Sequence, residues 1–149
     1  MASTKEDIAK FSLAFAAGIY LDYFTNLYTR GVLALNWIPD IARNTSHDAF
    51  LGFYMACSSA IGQSITKLEP NPRKVVINSV LFSIVFLGII ESGQGVLQYL
   101  HIIDRGFAWE DYFAYALGAV GFLGLDLTAV GIKLLHDKTK KTSLQNHSS

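Results

Sequence analysis

The residues able to do chemistry gather in one stretch, 91–121, which reads ESGQGVLQYLHIIDRGFAWEDYFAYALGAVG. It holds Glu91, Gln94, Gln98, His101, Asp104, Arg105, Glu110 and Asp111. Carboxylates beside a guanidinium suit the capture of a polar headgroup: the acids orient the arginine, and the carboxamides donate and accept further hydrogen bonds. A second polar pair, His47 and Asp48, opens another apolar tract. A histidine set against an acid such as Glu91 or Asp111 is the smallest unit for proton transfer, or half of a metal site, although the spacing alone shows neither. Larger catalytic signatures are missing. The chain has no H-E-x-x-H, no glycine-rich phosphate loop, no G-x-S-x-G and no paired cysteines, so neither a metal nor an organic cofactor is expected.

Composition says what positions these groups. Of 149 residues 51% are hydrophobic and only 16% are charged, against about 25% charged in a soluble domain. The mean hydropathy is positive, +0.32. Long neutral tracts separate the charges, which predicts an all-α integral membrane protein with four transmembrane helices of roughly 20 residues each. A formal net charge of zero gives no broad pull toward nucleic acid. The single Cys57 excludes an intrachain disulfide and a cysteine-based zinc cluster. The head of the chain mixes Lys5 and Lys10 with Glu6 and Asp7, unlike a cleavable signal peptide.

The spans fall at about 8–26, 47–66, 75–99 and 111–135, within one domain over 1–135. Lys10 and Asp22 interrupt the first. Residues 27–46 read as a loop with an interfacial or re-entrant helix, because GVLALNWIP is nine residues long and Pro39 ends it. On the second span Gly52, Ala56, Ser59 and Gln63 share a face that lets a neighbouring helix come close. Glu91, Gln94, Gln98 and His101 follow i, i+3, i+7, i+10 and line one stripe. Asp111, Ala114, Gly118 and Gly121 repeat that spacing on the fourth span, so the third and fourth spans are expected to pack as a hairpin. Trp109, Tyr112 and Tyr115 read as interfacial belt aromatics, and Asp126 is expected to bond Gln63 or Asn78. Residues 136–149 read as a basic, disordered cytoplasmic tail.

Lysines and arginines set the orientation. With four spans, one side collects Lys5, Lys10, Lys67, Arg73, Lys74, Lys133, Lys138, Lys140 and Lys141, nine of the twelve, and the other holds Arg30, Arg43 and Arg105. The excess marks the cytoplasmic side, so both termini are expected inside. Glu91 lies 16 residues past Val75, about 24 Å along a helix and near the outer edge of a roughly 30 Å hydrocarbon core. A polar pocket is therefore expected at the outer face, made by His47, Asp48, Glu91, Gln94, Gln98, Arg105 and Asp111.

Several of these residues also form short motifs. His47-Asp48-Ala49-Phe50 precedes Phe53-Tyr54; Glu91 and Gln94 form Glu-x-x-Gln; Arg105 stands six residues before Asp111; Gly118 and Gly121 follow. The combination resembles the VanZ-like family of small membrane proteins, named for a teicoplanin-resistance protein. Two features depart from the family pattern: Tyr115 stands where it has Asn, and the gap from Gln94 to Arg105 is longer. The resemblance implies a bacterial plasma-membrane protein that binds or modulates a lipid or lipid-linked glycan headgroup, with a link to glycopeptide resistance. The residues themselves also leave open a small structural subunit of a larger membrane complex and a membrane enzyme acting on a lipid headgroup with His47 or Glu91 as general base. Asp22, Glu91 and Asp126, at three depths, leave open a proton-coupled carrier.

Overall fold

The computed structural model describes residues 4–29, 40–67, 69, 71–104 and 108–146. Among them the chain is wholly helical, without strands: α1 (Thr4–Thr29), α2 (Asp40–Thr66), α3 (Pro72–Tyr99) and α4 (Trp109–Asn146). Local chemistry sets several of the ends. Asn71 caps α3, its side chain accepting from the Arg73 N–H at 3.0 Å, and Pro72 occupies the first turn, where a missing N–H costs nothing. Lys67 and His101 adopt left-handed backbone, with φ of 53° and 56°, and each follows a helix end closely, the usual place for such a residue.

Helix α2 is the centre of the bundle and packs against α1, α3 and α4. Its closest approach is to α4, through two glycines. A Cβ built on Gly52 would lie 2.2 Å from the Tyr115 carbonyl oxygen, and one on Gly118 would lie 1.6 Å from that of Ala49. Glycine is required at both positions because backbone meets backbone there. Gly118 of the expected stripe thus faces α2 and not α3, while α3 and α4 do pack as the expected hairpin. Contact between α3 and α4 runs instead through larger groups, such as Ser92 and Tyr112, whose hydroxyls are 2.7 Å apart. Around the glycines lies a core of Phe11, Ala56, Cys57, Ala60, Val76, Ala119 and Phe122.

Polarity is inverted relative to a soluble bundle. Ser79, Ser83 and Glu91 are buried, whereas Leu13, Leu81, Phe82, Phe86, Ile89, Phe113, Leu117 and Leu127 lie exposed on the outside. An apolar exterior this extensive demands a cover. Helices α3 and α4 are long and apolar enough to cross a membrane. Helix α2 is held between three neighbours, so its Gln63 and Ser64 can face protein and its average polarity is higher.

Three boundaries differ from the sequence reading. α1 continues to Thr29 and α2 begins at Asp40, so much of the segment read as interfacial, 27–46, belongs to those helices; positions 30–39 lie outside the described residues. The tail read as disordered is helical as far as Asn146. Its residues include Lys138, Lys140 and Lys141, which suit a helix although they carry no apolar repeat.

Candidate functional site

The antiparallel order brings the end of α1, the start of α2, the end of α3 and the start of α4 to one end of the bundle. Each of these carries an acid: Asp22, Asp48, Glu91 and Asp111.

Asp22 is buried, and both of its carboxylate oxygens are bonded. Its Oδ1 accepts from Asn26 Nδ2 at 2.8 Å, and its Oδ2 accepts from the Tyr54 hydroxyl at 3.0 Å. Tyr54 also lies 3.1 Å from the Gly18 carbonyl, tying α2 to α1. His47 Nδ1 is 3.4 Å from Asp22 Oδ2, with the imidazole half exposed at 53%. His47 is thus an exposed histidine anchored on a buried acid.

Asp48 of α2 and Asp111 of α4 lie close enough for each carboxyl to act on the other. Glu91 lies near enough for its charge to act on Asp48, and Tyr115 stands among all three acids.

Glu91 is the group that does not balance. It is 1% exposed. Its Oε2 accepts from the Tyr115 hydroxyl at 3.2 Å, while Oε1 is buried with no hydrogen-bond partner among the described residues. A buried acceptor left unmatched costs about 1–3 kcal/mol, and native structures hold few of them.

Of the pocket residues expected from sequence, His47, Asp48, Glu91 and Asp111 come together. Gln94 is exposed, one turn beyond Glu91, and does not join them. Gln98 is half-buried near the end of α3. Arg105 lies outside the described residues. Among the packing residues, Gly52, Ala56 and Ala114 are buried and Gly118 is half-buried. Ser59 accepts from Gln63 at 3.1 Å, and nothing lies within 4 Å of a Cβ placed on Gly121. Asp126 pairs with Lys10 instead of Gln63 or Asn78; Gln63 bonds Ser79 at 2.9 Å.

Asp22, Tyr54 and Tyr115 were not singled out as pocket members. Asp22 did leave a signal: an acid inside an apolar run, four residues before an asparagine that can bond it. Tyr115 supplies a hydrogen bond through its hydroxyl. Among the described residues no group of three or more His, Cys, Asp or Glu side chains is arranged to hold a metal ion. What the cluster offers is acceptors, suited to a ligand that brings donors.

No family model matches the chain, and neither does any curated protein or solved structure.

Proposed function

We propose that this chain is a four-span protein of a bacterial plasma membrane, with both termini cytoplasmic, that binds a membrane headgroup rich in hydrogen-bond donors at its acid-lined end. The apolar exterior and the nine-to-three distribution of basic residues support the setting. The single observation that carries the binding role is the unmatched Glu91 Oε1, buried beside the Asp48–Asp111 pair. A donor delivered there removes the cost of the orphan acceptor, so ligand affinity gains what the empty protein lacks. An amine or a hydroxyl-rich glycan fits this chemistry. The VanZ-like motifs, with Arg105 among them, extend the proposal to lipid-linked glycan and to teicoplanin resistance, with Arg105→Ala expected to abolish a resistance phenotype.

The test is thermal unfolding in nanodiscs of phosphatidylglycerol, with and without phosphatidylethanolamine. A ligand at 100 times its Kd stabilises by about 2.7 kcal/mol, which is about 5 °C or more in Tm for a chain of this size. Wild type should gain this shift and Glu91→Gln should not. Equal shifts in both would remove the basis of the reading.

The His47–Asp22 contact supports a second reading, a membrane enzyme with His47 as general base. Turnover of a headgroup lost in His47→Ala, with binding kept, would favour it.

A further inference from the structure

The acid-lined end accounts for a headgroup and leaves open where the rest of the molecule lies. Helices α1 and α4 meet at one level, where the Phe11 and Phe122 rings are 5.6 Å apart and Lys10 pairs with Asp126. They enclose two apolar clefts of about 310 and 270 Å³, the second lined by those same four residues. The clefts share Ala14, Ala17 and Leu125 and so form one furrow. It runs along α1 from Lys10 to Leu21, about 16 Å at 1.5 Å per residue, over a floor that includes Phe53 of α2.

The two ends of the furrow differ. At one, the Lys10–Asp126 pair closes it. At the other, it is lined by Leu21 and Ala49, the immediate neighbours of Asp22 and Asp48. The apolar furrow thus ends at the level of the acids, although none of Asp22, Asp48, Glu91 and Asp111 lines it.

We propose that this furrow holds one alkyl chain of an amine-bearing membrane lipid whose headgroup sits at the Asp22–Asp48–Glu91 end. This rests on the headgroup reading above and adds the place of the chain and the amine. Two observations favour an alkyl chain over a further helix. The cleft volumes sit near the lower end of the range for small-molecule sites. The charges at the head end are acids, which complement an amine.

Gly121 gives a clean way to fill the furrow, because no atom lies within 4 Å of its Cβ position. The full chain, purified in detergent, is examined by native mass spectrometry with 1-palmitoyl-lysophosphatidylethanolamine, and with lysophosphatidylglycerol of the same chain. Wild type should retain the ethanolamine lipid in preference, and Gly121→Phe should bind it at least tenfold more weakly. Ala17→Leu, on the opposite wall, provides a second variant if the first does not fold. Wild-type binding in a folded wall variant overturns the proposal. So does a change from dimer to monomer in those variants, which would make the occupant a second copy of this chain. Glu91→Gln separates the two readings. If it keeps the wild-type preference for ethanolamine while the wall variants lose binding, the headgroup reading fails and the furrow stands as a chain site. If it loses the preference while the wall variants bind normally, the furrow fails and the headgroup reading stands.

Discussion

The two ends of this bundle use similar residues to opposite effect. Toward the Lys10 end, the polar groups are partnered: Lys10 with Asp126, and Gln63 with Ser59 and Ser79. These bonds join α1 to α4 and α2 to α3, and they explain why polar residues sit inside an apolar shell. At the other end four acids come from four helices, Asp48 and Asp111 acting on each other, and Glu91 keeps an oxygen unmatched. A buried carboxylate with its partners in place is architecture. One lacking a partner, beside other acids and an exposed histidine, is where the proposed headgroup would bind. The difference lies in hydrogen-bond accounting and not in residue type.

That contrast can be broken or sharpened by substitution. The largest effect belongs to neither end but to the glycine contact between them. Gly118→Leu drives a side chain into the backbone of α2 and should cost more than about 3 kcal/mol; the protein should lose its monodisperse peak in size-exclusion chromatography. Gly121→Ala, three residues on, should elute as wild type.

Next comes Asp126→Ala, which strands Lys10 and should lower stability by about 2 kcal/mol, read as a fall in detergent Tm. It should leave the response to phosphatidylethanolamine intact. A lost response here would erase the distinction between the ends.

Glu91→Gln should behave in reverse. Its stability without the ethanolamine lipid, read by thermal unfolding, should stay within about 1 kcal/mol of wild type, the scale of one hydrogen bond, while the lipid response disappears. A large loss of stability would instead make Glu91 a structural acid like Asp126.

The smallest expected effect is Ser83→Ala, which removes one hydrogen bond to Gly52 and should cost about 1 kcal/mol by thermal unfolding, with lipid binding unaffected.

Much of this was legible in the sequence, and what was not has physical causes. The apolar tracts of α3 and α4 are visible because these helices expose wide faces. The small-residue stripes were visible too, but spacing names a face and not its partner, and Gly118 turned out to face α2. Glu91 and Gln94 share a helical stripe by spacing, yet one is buried and the other exposed, because periodicity does not say how far along a helix its neighbours reach. His47, Asp48, Glu91 and Asp111 could be assigned to one end from the alternation of spans alone. Asp22 could have been added by the same logic, since it closes the first apolar run. Its bond to Tyr54 and the Lys10–Asp126 pair join residues 32 and 116 positions apart, a separation at which a single sequence carries no pairing signal.

The most direct test of the account is a high-resolution structure of the full chain in nanodiscs containing phosphatidylethanolamine, read at one atom. The account predicts a non-protein donor within about 3.2 Å of Glu91 Oε1, continuous with density for a chain between α1 and α4. A protein donor on Oε1, with the site empty of lipid, would contradict it.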